Sequence, residues 1–314
     1  MTDFTDIRNE FKIFKNKTHL DVAFKCPLSN RLVNTMTDFL NDYQMTGGDK
    51  EAWIRILEQS RTIFSKMIGA KPEEVSFIKN TSEGLNTLAW GLGLSSGDNV
   101  IINDLEHTNN VQAWLNHQRF GVEIRCIRNQ NGRILPEAVK ELMDDRTRVV
   151  SLSAVQYRNG FRSDLKSIGE ACRSANILFV VDAIQHLGVL DLNVKRLQID
   201  VLCCGGHKFL LGPHGTGVMY VSDACVDKIN PPFVGLNRVN QVIESSPKLF
   251  GKTIAFSSDA RKFEYGYMNF VGVAGLMASA EMLMQAGVKT IEQHVLDLNH
   301  ALANRLEKHG ADLI

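Results

Sequence analysis

The stretch ILFVVDAIQH, Ile177 to His186, decides the fold. Its first five residues are apolar without alternation and too few for an ordinary helix, so they read as a strand buried on both faces. Such a strand belongs in the middle of a parallel sheet covered by helices above and below. Outward from it, β-branched runs recur at 75–78, 100–102, 123–127, 149–152, 201–204 and 218–221. Amphipathic stretches lie between several of them, at 83–92, 110–119, 136–143 and 165–174. This alternation predicts an α/β fold with a mostly parallel seven-stranded sheet and helices on both faces. The runs 201–204 and 218–221 are joined only by a glycine-rich loop and are expected not to be parallel neighbours.

The flanks differ from this centre. Residues 28–43 and 51–68 carry helical pattern with stops at Gly47-Gly48 and Gly69, and 19–23 is the one strand candidate before residue 70. This region is expected to pack across the sheet or against a partner subunit. After Pro231-Pro232 a loop-like stretch at 234–260 precedes helices at 271–284 and 291–309. A loop of that length is usually functional or at an interface. Gly310 caps the last helix, and Ala311-Asp312-Leu313-Ile314 looks like the opening of a strand, as in a fragment or a truncated chain.

At 314 residues the chain has room for about two domains. Lys+Arg and Asp+Glu are 35 each, so there is no basic excess to neutralise a phosphate backbone, and nucleic acid is not an expected partner. The six cysteines show no CxxC pair and no zinc-ligand spacing with histidines, which implies a reducing compartment. With no signal-peptide pattern and no membrane-length apolar run, the expected location is the cytoplasm.

In open α/β sheets ligands bind beyond the carboxyl ends of the strands. The loops there contain Lys79-Asn80-Thr81-Ser82-Glu83-Gly84, Asn103 through Asn110, Gln156-Tyr157-Arg158-Asn159-Gly160, Asp182-Ala183-Ile184-Gln185-His186 and Gly205-Gly206-His207-Lys208. Thr81 and Ser82 open a helix, where free N–H groups, hydroxyls and the helix dipole suit a phosphate. Asp182 ends a buried strand and needs a cationic or hydrogen-bonding partner such as a protonated ring nitrogen. Partial burial would make Lys208 a nucleophilic amine able to form a Schiff base, and His107 offers a ring for stacking. Phosphate, cationic aromatic nitrogen, aldehyde and stacking surface together describe pyridoxal 5'-phosphate.

Each residue alone has a plainer explanation. Thr81-Ser82 suits any helix start, Asp182 any helix cap, and Lys208 any solvated surface. The specificity lies in their joint order, each just past a strand. No GxGxxG or GxxxxGK[ST] follows a strand, which argues against a nucleotide-binding alternative.

The motifs Asn80-Thr81-Ser82-Glu83-Gly84, Glu106-His107-Thr108-Asn109-Asn110-Val111 with Trp114, Val181-Asp182-Ala183-Ile184-Gln185, Gly206-His207-Lys208 with Gly212-Pro213-His214-Gly215-Thr216-Gly217, and Lys262-Phe263-Glu264-Tyr265-Gly266 with Asn269 resemble the class V aminotransferase family. This is the fold-type-I pyridoxal-phosphate group containing cysteine desulfurases, selenocysteine lyases and isopenicillin N epimerase. The resemblance runs from about residue 18 to 314. It implies that Lys208 binds the cofactor covalently and shuttles the substrate's Cα proton, while Asp182 keeps the pyridine nitrogen protonated. His107 and Ala183 would sandwich the ring, Gln185 would bond its phenolic oxygen, and Thr81, Ser82 and His207 would hold the phosphate. It also implies a homodimer in which the segment around Tyr267 approaches the neighbouring subunit's phosphate. The domains would be an arm (1–18), a large cofactor-binding domain (19–270) and the start of a smaller C-terminal domain (271–314).

Departures from the family pattern bear on the reaction. Desulfurases of this group usually carry a serine at the position of Gly205, an asparagine at that of Tyr157 and a threonine at that of Tyr267. The expected arginine for the substrate carboxylate and the mobile cysteine would lie beyond Ile314, and none of the six cysteines matches that nucleophile. These departures fit the epimerase-like and lyase-like branch better than the iron–sulfur-supplying desulfurases, and the resemblance as a whole implies an isopenicillin N epimerase-like or cysteine desulfurase/lyase-like enzyme acting at Cα or Cβ of an amino acid. A transaminase and a cofactor-binding but catalytically incomplete protein are the alternatives.

Overall fold

The computed structural model describes residues 4–235 and 256–313. Its helices are α1 (Thr5–Asn9), α2 (Asn30–Thr46), α3 (Lys50–Ile68), α4 (Thr81–Gly91), α5 (Thr108–Leu115), α6 (Pro136–Glu141), α7 (Leu165–Ser174), α8 (Asp223–Val226), α9 (Phe270–Ala286) and α10 (Val288–Lys308). The strands are β1 (Val75–Ile78), β2 (Asn99–Asn103), β3 (Glu123–Ile127), β4 (Thr147–Ser153), β5 (Leu178–Asp182), β6 (Val201–Gly205) and β7 (Gly217–Val221). They form one sheet in the order β1-β7-β6-β5-β4-β2-β3, with the ILFVV run at its centre as expected. β7 pairs antiparallel with both β1 and β6, and the other pairings are parallel. The glycine-linked pair β6 and β7 is therefore the expected non-parallel one.

Both faces of β5 are used. Phe179 and Val181 join α3, α7 and α9 in one core, while Val180 joins α4 and α5 in the other. Burying each such side chain contributes about 1.5–3 kcal/mol, which is why a run without polar alternation is held in mid-sheet. Side chains place the helix starts. Asn80 Oδ1 accepts the Glu83 N–H at 2.9 Å, so α4 begins two residues before the apolar periodicity does. Asn80→Ala is expected to cost about 1 kcal/mol in urea unfolding, and an unchanged midpoint would show that the cap contributes nothing. His107 caps α5 in the same way, so the helix expected at 110–119 starts at Thr108; it ends at Leu115 and is followed by a separate 3-10 turn at Gln118–Phe120. Gly47 and Gly69 end α2 and α3 with φ of 78° and 69°, the left-handed conformation expected of the glycine stops.

Residues 19–23 form no strand: the Asp21 carbonyl accepts the Phe24 and Lys25 N–H groups in a local turn, and the Ala23 carbonyl accepts from Gln185 Nε2 at 3.0 Å. The loop-like stretch 234–260 falls largely on residues outside those described. Residues 311–313 form no strand, and Ile314 lies outside the described residues.

α2 and α3 pack against α9, while Arg162 and Glu292 (2.7 Å) tie α10 to the loop after β4. No single helix among the described residues is long and apolar enough to cross a membrane.

Candidate active site

Because β1, β2, β4, β5 and β6 run the same way, the five chemistry-bearing loops emerge at one edge of the sheet. Asp182 ends the central strand, with Ser153 of β4 and Cys203 of β6 as its register partners. It is 3 % exposed, and its Oδ1 accepts the Ile184 N–H at 3.0 Å. Burial pushes its carboxyl up to about 7; Glu106 adds to the rise, while the Ile184 N–H and Lys208 oppose it. Lys208 follows the Gly205-Gly206-His207 turn from β6. Burial lowers the proton affinity of its amine, against the opposing charges of Asp182, Cys204 and Asp21. The charge of Lys208 is felt at Asp182, His107 and His207, so these four groups face one crevice.

The turn carrying Lys208 is held closely. Gly206 N–H donates to Thr216 O and Gly212 N–H to Gly206 O, both at 2.8 Å. A Cβ on Gly212 would stand 2.3 Å from Leu276 Cδ1 of α9, so a larger residue here would require the Leu276 side chain to shift. Thr81, buried at the first turn of α4, accepts the Gly205 N–H through Oγ1 at 2.9 Å. This bond pins the helix N-terminus, with Ser82 beside it, to the start of the lysine turn. A Cβ on Gly205 would meet Ile184 Cδ1 at 3.2 Å, so glycine at this position also gives Ile184 room.

His107 stands at the start of α5 with Tyr157 edge-on to its ring, centroids 4.9 Å apart. Burial first, and then the Lys208 charge, lower its pKa, favouring a neutral ring. His207 stacks on His214 at 4.6 Å, and burial carries its pKa down to about 4. Ala183 is fully buried beside Asp182. Gln185 donates to Ala23 O, and Cys26 N–H donates to His207 O at 3.0 Å, so residues 21–26 lie across the crevice. Tyr267 is 64 % exposed and lines a cavity of about 260 Å³ with Lys79, Glu83 and Thr216, beside the start of α4.

Burial raises all six thiols: Cys26 and Cys225 to about 11, Cys172 to about 12, and Cys126, Cys203 and Cys204 upward. None is poised as a thiolate nucleophile. Reasoning from sequence gave no role to Glu106, buried in the loop between β2 and α5 and bonded across to β4. The one available signal was its place directly before His107.

Pyridoxal phosphate suits this set. A near-fully buried carboxylate with raised proton affinity calls for a cationic partner, and the crevice supplies an amine of lowered proton affinity beside a helix N-terminus. For Asp182 the sign on stability is fixed: its pKa in the folded protein lies above the ordinary 3.8, so its contribution is full below about pH 4 and is lost as pH rises through about 7. Relative to Asp182→Asn, cofactor-free wild type is expected to lose on the order of 3–4 kcal/mol over that window. Parallel melting temperatures from pH 4 to 8 would contradict it.

A mostly parallel sheet bearing a lysine and a carboxylate beyond adjacent strands is the arrangement of fold-type-I pyridoxal-phosphate enzymes. The sequence model described as aminotransferase class-V matches residues 19–312, and the chain belongs to that family. A probable cysteine desulfurase of Methanothermobacter thermautotrophicus is 29 % identical over 303 residues, 95 % of this chain and 74 % of that protein. The apo structure of a cysteine desulfurase from Thermococcus onnurineus NA1 superposes with TM-score 0.88 at 26 % identity, covering 98 % of this chain and 77 % of that one. A C-DES variant with glycine covalently linked to its pyridoxal-phosphate cofactor shares the fold, with TM-score 0.89 at 22 % identity over 98 % of this chain and 80 % of that one.

Proposed function

We propose that this class-V enzyme cleaves or labilises a bond at Cα or Cβ of a sulfur-containing amino acid of the cysteine or cystine class. The observation that carries the reading is the shared crevice of Lys208 and Asp182 beyond neighbouring strands. When bound, pyridoxal phosphate supplies an electrophilic carbonyl and an electron-accepting ring. Lys208 Nζ would hold the cofactor and move the substrate's Cα proton, and Asp182 would keep a proton on the ring nitrogen. His107 and Ala183 cover the ring faces and exclude water. Gln185, which donates to Ala23 O, would bond the phenolic oxygen, and Thr81, Ser82, His207 and the first turn of α4 would hold the phosphate.

On this reading residues 19–270 form the cofactor-binding domain, 1–18 an arm, and 271–314 lead into a smaller C-terminal domain. The chain acts in the cytoplasm as a homodimer, with Tyr267 set toward the partner's phosphate. The relatives' names support C–S chemistry. Gly205, Tyr157 and Tyr267, where desulfurases carry other residues, support a second reading, isopenicillin N epimerase-like inversion at Cα.

The test is to incubate the cofactor-loaded protein with L-cysteine, L-cystine and a panel of other amino acids. Sulfide or persulfide with pyruvate supports the first reading, and an inverted Cα centre the second. Keto acid with stoichiometric amine transfer would reject both in favour of transamination.

A further inference from the structure

Glu106 has no part in the roles assigned above, yet it is among the most heavily bonded side chains at the crevice. It is 7 % exposed. Its Oε1 accepts from Asn103 Nδ2 at 2.5 Å, from Ser153 N–H at 2.7 Å and from Gln156 Nε2 at 3.1 Å. Its Oε2 accepts from Ser153 Oγ at 2.5 Å and from Asn110 Nδ2 at 2.9 Å. Only a carboxylate can accept from all five donors, because a carboxamide would turn its own N–H groups toward some of them.

The donors come from β2, α5, β4 and the loop that carries Tyr157, so one side chain fixes four elements around His107. Asn110 extends the lattice by accepting from Ser151 Oγ at 2.6 Å and from Trp114 Nε1 at 3.2 Å. Ser153, which supplies two of the bonds, is the register partner of Asp182. The charge of Glu106 reaches both Asp182 and His107. Facing Asp182 with it are Lys208 and the thiols of Cys203 and Cys204, while Asp21 faces Lys208 from the N-terminal segment. The crevice therefore holds two fixed acids, one beyond β2 and one at the end of β5, with Ser153 of the intervening β4 between them.

We propose that Glu106 is a positioning residue of the cofactor site: it fixes His107 and the Tyr157 loop, and it supplies a second stationary negative charge behind Asp182. The proposal rests on the pyridoxal-phosphate reading of the crevice. A purely structural strut would alter melting and leave the protonation of a bound chromophore where it was.

The experiment titrates wild-type, Glu106→Gln and Ser153→Ala apoproteins with pyridoxal 5'-phosphate and then follows the visible absorbance of each loaded protein against pH. Glu106→Gln is expected to bind about tenfold more weakly, with its chromophore losing a proton at lower pH, as removal of a nearby negative charge requires. Ser153→Ala keeps the charge but loosens it, and should move both readouts the same way by less. If Glu106→Gln fails to melt cooperatively, Ser153→Ala decides alone. Wild-type affinity and pH midpoint in the folded variants would overturn the proposal. A wild-type apoprotein that takes up no cofactor would instead overturn the reading of the crevice.

Discussion

Lys208→Ala is expected to lower turnover by more than about 10²–10⁴-fold, the range that a positioned proton-transfer group contributes. The loss should be larger than for any other single change at the crevice, because one amine is assigned both the attachment of the cofactor and the movement of the Cα proton. Burial favours the neutral, nucleophilic form of that amine, while Asp182 and Asp21 hold it from drifting further. Lys208→Arg should not rescue activity, since a guanidinium stays protonated and cannot serve as the nucleophile. The direct check is borohydride reduction followed by peptide mass analysis. Wild type should carry the cofactor on the peptide containing residue 208, and Lys208→Ala should carry none. A reduced adduct on another lysine, or wild-type turnover in the alanine variant, would remove the basis of the proposed function.

The second large effect concerns stability rather than chemistry. Arg61→Ala is expected to destabilise the protein by about 3–5 kcal/mol, the usual cost of leaving one member of a buried ion pair behind. The Arg61 and Glu264 side chains are fully buried, with Nη1 2.8 Å from Oε1 and Nη2 3.2 Å from Oε2. Arg61 also bonds to Val75 O, and Glu264 Oε1 accepts the Phe77 N–H at 2.9 Å, so the pair joins α3, β1 and the turn before Tyr265. Glu58 extends it outward to Arg261 at 2.7 Å. Urea unfolding of Arg61→Ala, Glu264→Leu and the double variant Arg61→Met/Glu264→Leu checks the argument. The double variant should be less destabilised than the sum of the singles, because it leaves no buried charge without its partner. Strict additivity would mean that the two groups are not coupled.

This ion pair also marks a boundary of what the sequence discloses. Arg61 lies on a helix whose pattern is legible, and Glu264 sits inside a recognisable family motif, but nothing local connects residues 203 apart. The same holds for Glu106, whose donors at Ser153 and Gln156 are 47 and 50 residues away. The segment 19–23 shows the opposite case. Its pattern reads as a strand, but its backbone closes a turn at Asp21 and gives the Ala23 carbonyl to Gln185 of the crevice instead. A short run can propose a conformation; its hydrogen-bonding partners decide it.

By itself, the sequence determined the seven strands, the parallel majority of the sheet, the antiparallel pair around the glycine loop, and the set of loops carrying Thr81, His107, Asp182 and Lys208. These follow from local patterns, since burial on both faces of a strand excludes polar alternation and a site residue beyond a parallel strand must emerge at the carboxyl edge. Only the tertiary structure decided the strand order, the burial that raises the Asp182 carboxyl and lowers the Lys208 amine, and the five-donor clamp on Glu106. Those properties depend on which distant groups share a small, poorly hydrated volume, and the strength of a charge there is set by its neighbours rather than by its place in the chain.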